Sequence, residues 1–106
     1  MATISILGAG YMGTALAVVV AGQGHRVKLW GTWLDDELVR PVLAGEEHPR
    51  LRLALPPAIE PFLAPELAAA LEGADAVVCA VNSDGVIPVL GRATPHLPAT
   101  GALMSV

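Results

Sequence analysis

The chain predicts an α/β fold, a doubly wound parallel sheet of about five strands with helices on both faces. Three observations carry that expectation. Short β-branched runs alternate with helical ones along the chain. A glycine-rich turn joins the first strand to the first helix. Hydrophobic residues make up 54% of the 106 residues and charged residues only 15%, the excess expected of strands buried on both faces. The length suits one domain. With aromatics at 4%, its core has to be built of Ala, Val, Leu and Ile.

Residues 3–7 read as a short β-branched strand. After the glycine turn, residues 14–21 are rich in Ala, Leu and Val and read as a buried helix, stopped by Gly22 and Gly24. Residues 26–30 alternate as a second strand with one less buried face. Gly31-Thr32-Trp33 forms a turn. Asp35, Asp36 and Glu37 then stand where a helix N-terminus favours acids. The second helix runs to Ala44, with Pro41 able to kink it and Gly45 as its stop.

Residues 46–57 mix charges with a Pro-Pro pair and read as a loop, and a weak third strand is expected over 58–62. Residues 65–72 form a helix with proline in its first turn and Gly73 at its end. Residues 75–81 are the clearest buried strand, and Asn82-Ser83-Asp84-Gly85 reads as a turn. A short helix, started or broken by Pro88, runs to Thr94, and residues 102–106 read as one more strand.

Gly8, Gly10 and Gly13 form a G-x-G-x-x-G pattern. Alone it is weak; here it follows a strand, opens a helix and is answered by a returning strand, which is the context that gives it meaning. Gly8 permits the tight turn, Gly10 lets a pyrophosphate approach the backbone, and Gly13 lets helix and strand pack closely. The free amides of the first helical turn would then hold phosphate, with the positive end of the helix dipole. The expected ligand is NAD or NADP.

An acid about 20 residues past such a motif grips the ribose hydroxyls and favours NAD. The second strand ends instead on Gly31, Thr32 and Trp33, with Asp35 and Asp36 a little late. A small Gly31 beside Thr32 leaves room for a 2′-phosphate, and Arg50 and Arg52 could fold back to meet it. NAD versus NADP therefore stays open. Helix capping is the favoured reading of Asp35 and Asp36. Trp33 suits either adenine stacking or packing. Asn82 and Ser83 fall at the C-terminal end of a strand beside the first, where ligands bind in open α/β sheets, or they simply make a turn.

Other chemistry is thinly represented. The net charge is −4 and no Lys/Arg run exists, so no nucleic-acid partner is expected. No apolar stretch is long enough to span a membrane. Cys79 is the only cysteine and lies in an apolar run, where it reads as a small buried hydrophobe. Together with an N-terminus lacking a basic leader, it points to a reducing, cytoplasmic compartment. His25, His48 and His96 have no metal-ligand neighbours and read as surface histidines.

These motifs resemble the start of NAD(P)-dependent glycerol-3-phosphate dehydrogenase. The likeness is carried by residues 4–10, 13–17 and 24–30, then by His48-Pro49-Arg50, Leu55-Pro56-Pro57, residues 71–75 and Pro95-His96-Leu97, in order along almost the whole chain. Residues 31–51 look closer to archaeal-type members. The resemblance implies a Rossmann domain over residues 1–106. It implies that Gly8, Gly10, Tyr11, Met12 and Gly13 line the pyrophosphate and nicotinamide side, and that Asn82 and Ser83 run past the cofactor. It implies reversible reduction of dihydroxyacetone phosphate to sn-glycerol 3-phosphate, serving membrane-lipid synthesis.

The same resemblance implies a gap. Family members are far longer, and a C-terminal domain absent from this chain holds the substrate and the catalytic lysines. Physical reasoning finds the gap independently: ketone reduction needs a proton donor or cation at the developing alkoxide, and a phosphorylated substrate needs cationic ligands. The one lysine, Lys28, lies in the second strand, badly placed for either role. The chain alone is expected to be inactive. Two other readings stand beside this one: a dehydrogenase of the same superfamily, such as one resembling ketopantoate reductase or the 6-phosphogluconate type, and a stand-alone dinucleotide sensor. The sensor's apolar surface would admit a homodimer.

Overall fold

The computed structural model describes residues 2–97 and 102–105. In chain order the elements are β1 (Thr3–Leu7), α1 (Tyr11–Gly22), β2 (Arg26–Trp30), α2 (Asp36–Leu43), β3 (Ile59–Phe62), a 3-10 turn (Ala64–Glu66), α3 (Leu67–Leu71), β4 (Ala76–Cys79), α4 (Ser83–Ala93), a second 3-10 turn (Thr94–His96) and β5 (Ala102–Ser105). The strands form one sheet, wholly parallel, in the order β3-β2-β1-β4-β5. This is the doubly wound arrangement that alternating strands and helices call for.

The period of two along each strand sends alternate side chains to opposite faces. Ile6, Leu29 and Val78 meet Val27, Ala17 of α1 and Val39 of α2 on one face. Leu7, Trp30, Val77 and Cys79 meet Leu71 of α3 and Val89 of α4 on the other. Both faces of the centre are buried, which accounts for the apolar composition. Burial pushes the Cys79 thiol up, against a lowering hydrogen bond with the Val81 backbone. It packs as a hydrophobe, as the sequence suggested.

Polar groups in this interior are all paired: among the described residues no buried side-chain nitrogen or oxygen lacks a partner. The Ser5 hydroxyl donates to the Ala70 carbonyl and fixes α3 on the sheet. Lys28 Nζ donates to the carbonyls of Ala69 (2.9 Å) and Glu72 (2.8 Å), supplying a cation where α3 leaves its last carbonyls bare.

Several expectations change. The helix read over 65–72 is a 3-10 turn that holds Pro65, followed by the shorter α3. Helix α1 begins at Tyr11, and it is not buried all round. Gly13, Thr14 and Ala17 meet the sheet, while Met12 (68% exposed) and Val19 (61%) face outward. An uninterrupted apolar run hides which stripe of a helix is covered. Strand β4 is shorter than its apolar run. Residues 82–85 are not a free turn: Asn82 is the N-cap of α4 and its side chain accepts from the Gly85 amide at 3.1 Å. Pro88 consequently sits inside α4 rather than starting or breaking it. Finally, His48 is wholly buried and not a surface residue.

Candidate functional site

The centre of the sheet sets the site. Leu7 pairs with Trp30 on one side and with Cys79 on the other. The chain leaves β1, β2 and β4 at one level, and the loops after these strands emerge together. The gap between the β1 and β4 loops is the crevice created where the winding direction reverses.

Each glycine after β1 has a different reason to be there. Gly8 has φ +118°, and a Cβ would stand 2.8 Å from the Ala80 carbonyl oxygen; its own amide donates to the Trp30 carbonyl at 2.7 Å. A Cβ on Gly13 would run into the Gly8 carbonyl, so α1 can approach the loop this closely only without one. Gly10 is different. It is the N-cap of α1, and nothing lies within 4 Å of where its Cβ would be. The loop is thus crowded on its inner side and open on its outer side. The first amides of α1 have no partner inside the helix, and no acid occupies its first turn.

The opposite wall comes from β2 and α4. A cavity of about 150 Å³ is lined by Gly10, Thr32, Trp33, Leu34, Asp35, Ala80, Val81, Asn82, Gly85 and Val89. That is about half the smallest usual ligand pocket, so it suits one end of a dinucleotide rather than the whole. A larger cavity of about 280 Å³ along the β2–β3 edge includes no residue of the glycine loop.

Asp35 is the surprise of this wall. It precedes α2 but makes no side-chain capping bond. Its Oδ2 accepts from the Ala9 amide (3.1 Å), the Thr32 amide (3.0 Å) and the Thr32 hydroxyl (3.2 Å). The carboxylate ties the glycine loop to the β2–α2 turn, which corrects the capping expectation: the bend at Gly31-Thr32 turns the side chain back toward β1. Asp36 instead sits 3.6 Å from Arg40 in an exposed pair worth little. Asp35→Ala is expected to lower stability by about 2 kcal/mol, because two backbone donors lose their acceptor. A urea titration followed by circular dichroism measures it; an unchanged midpoint would refute the clamp.

Residues 3–106 match a family model described as the N-terminus of NAD-dependent glycerol-3-phosphate dehydrogenase. The chain belongs to that family. An NADP(+)-dependent glycerol-3-phosphate dehydrogenase from Archaeoglobus fulgidus is 45% identical over 94 residues, covering 89% of this chain and 28% of that protein. A glycerol-3-phosphate dehydrogenase [NAD(P)+] from a Chelativorans species is 37% identical over 99 residues, with 92% and 29% covered. The crystal structure of glycerol-3-phosphate dehydrogenase from Coxiella burnetii superposes with a TM-score of 0.84 at 30% identity, over 98% of this chain and 31% of that one. The chain therefore spans less than a third of the length of these relatives.

In this dehydrogenase N-terminus the residues singled out from sequence do not all meet at one place. Gly10, Thr32, Trp33 and Asn82 meet at the cavity. Gly8 and Gly13 are buried beneath it, and Ser83 follows Asn82 as the first residue of α4. Tyr11 (60% exposed) and Met12 project from the start of α1 and do not line the cavity. Gly31 lies below the wall. Its missing Cβ makes room for the Val39 side chain of α2, not for a phosphate as the sequence suggested. Arg50 and Arg52 are exposed and outside the cavity lining.

Trp33 meets Trp30 edge-on, with centroids 6.4 Å apart, and carries the Arg92 guanidinium 4.2 Å above its ring. No local pattern marks Arg92, which α4 carries back over the β2 turn. No residues among those described form a metal-binding cluster, and no helix there is long and apolar enough to cross a membrane.

Proposed function

We propose that the chain is the nucleotide-binding half of an enzyme that reversibly reduces dihydroxyacetone phosphate to sn-glycerol 3-phosphate with NAD(H) or NADP(H). One observation carries the reading: a glycine loop with open space above Gly10 and the N-terminus of α1 meet at the switch point between β1 and β4. The cradle fits a diphosphate, since a Cβ at Gly10 would fill it. The amides of Gly10, Tyr11, Met12 and Gly13 hold the phosphates. Thr32 and Trp33 flank the adenosine end, and Asn82 and Ser83 border the path toward the nicotinamide. Gly8 and Gly31 shape the loops from beneath. Arg92, above Trp33, brings positive charge to the same rim, where a 2′-phosphate is accommodated in NADP-binding members of this fold class.

Bound dinucleotide supplies the hydride; the residues of this chain bind and orient it. The cations for a substrate phosphate and the proton for the alkoxide come from a further region of the enzyme. Residues 1–106 are the cofactor domain, and the cytoplasm is the expected compartment. The activity for which these relatives are named and the fold they share support this reading.

The test is a titration of the 106-residue chain with NADH and NADPH, read by tryptophan quenching and calorimetry. Saturable binding of at least one is expected, without reduction of dihydroxyacetone phosphate. Binding of neither overturns the cofactor reading, and measurable turnover overturns the division of labour. The outward Met12 and Val19 favour a second reading, a sensor that pairs with a second copy through α1. A stable dimer with tight dinucleotide binding, seen in a solution mass measurement, would support it.

A further inference from the structure

The loop between α2 and β3 carries a histidine that the proposed binding site does not use, and its ring lies against the glycine loop. His48 is completely buried. Its Nε2 is 2.9 Å from the Ala9 carbonyl oxygen and 3.1 Å from Thr14 Oγ1. The Thr14 hydroxyl itself donates to the same carbonyl at 3.1 Å. On the other side of the ring, Nδ1 accepts from the amides of Arg50 (3.1 Å) and Leu51 (3.3 Å). Two incoming N–H groups make Nδ1 an acceptor, so the ring proton belongs on Nε2, which donates to Ala9. The loop is wrapped tightly around the imidazole: the His48 amide donates to the Leu53 carbonyl at 3.0 Å, and the Arg52 amide to the His48 carbonyl at 2.7 Å.

Ala9 is consequently held at both ends. Asp35 takes its amide, while His48 and Thr14 take its carbonyl. Ala9 lies between Gly8 and Gly10, so fixing both of its peptide groups fixes the path of the main chain into α1. The geometry points to His48 as a positioning residue for the dinucleotide: its neutral ring holds the Ala9 peptide so that the amides following it are already aimed when diphosphate arrives. Such ordering before binding removes a cost that a loose loop would meet on binding. The inference rests on the cofactor reading above.

Two substitutions separate this role from simple filling of the interior. Glutamine places an amide N–H about as far out as imidazole Nε2, so H48Q can still reach Ala9 while losing the acceptor for Arg50 and Leu51. Asparagine places an acceptor near Nδ1 but falls short of Ala9, so H48N keeps the 48–53 loop and releases the glycine loop. In the 106-residue chain, H48N is expected to weaken NADH or NADPH binding about tenfold, while H48Q stays within about threefold of the native chain at a similar melting temperature.

Amide exchange at Ala9 and Thr14, measured without ligand, is expected to rise about tenfold in H48N and little in H48Q. If both variants bind and exchange alike, or if both effects merely track melting temperature, His48 is only a core residue and the inference fails. If the native chain binds neither dinucleotide, the cofactor reading fails, while exchange at Ala9 and Thr14 still decides whether His48 holds the loop.

Discussion

Gly13→Ala is expected to lower the stability of the fold by roughly 3 kcal/mol, at the upper end of what a misfitted methyl group costs. The added Cβ would collide with the Gly8 carbonyl, a backbone atom fixed between β1 and α1. Neither side can move cheaply. Gly8 is held through its amide to Trp30, and Thr14, the next residue of α1, is bound to Ala9 and His48. For a domain of this size the loss corresponds to a fall in melting temperature of roughly 10–25 °C. Thermal unfolding followed by far-ultraviolet circular dichroism gives the answer directly. A variant melting within a few degrees of the native chain would show that the helix can tilt away from the loop at little cost.

Gly10→Asn is expected to do the reverse, leaving the fold intact and abolishing most dinucleotide binding. Its Cβ meets no atom, and its φ of −73° is open to any residue. Asparagine is also among the preferred N-cap residues, so stability should hold or rise by a few tenths of a kcal/mol. The new side chain would turn back onto the first amides of α1 and satisfy the donors that phosphate needs, while filling the space above them. Losing one or two charge-assisted hydrogen bonds corresponds to about a hundredfold weaker binding. Calorimetry with NADPH and NADH, beside a melting curve, tests both halves. Undiminished affinity would remove the glycine loop from the proposed site. Gly13→Ala and Gly10→Asn thus form a pair: one residue serves the fold, the other the ligand.

The parallel sheet and the glycine turn were legible because each is written locally. Ile4 and Ile6 stand two apart in a β-branched run and share one face of the sheet, and Gly8, Gly10 and Gly13 stand in the one context that gives their spacing meaning. The path of α4 was not legible. Pro88 looks like a boundary in the sequence, whereas the Asn82 cap decides where the helix begins. Nor were the clamps on Ala9. Asp35 looks like any acid before a helix, and His48 like any polar residue in a proline-rich loop; their roles depend on loops brought together by β1, β2 and the α2–β3 crossing. Gly31 carried the wrong meaning for the same reason, since only the approach of Val39 explains why no side chain is tolerated there. What sequence reasoning missed were contacts between distant segments, which leave no periodic trace.

β1 lies between β2 and β4, and this dictates the order in which the crevice can come into being. Arg26 and the turn after it lie close to β1 along the chain, but the Asp75 carboxylate that accepts from the Thr3 amide is 72 positions away. A chain being synthesised from its N-terminus has its phosphate loop in hand long before the segment that forms the facing wall exists. Joining them means closing a long loop, an entropic toll that the early βαβ unit does not face. The pocket is therefore a late event in the life of the nascent chain, completed only when the fourth strand slides in beside the first.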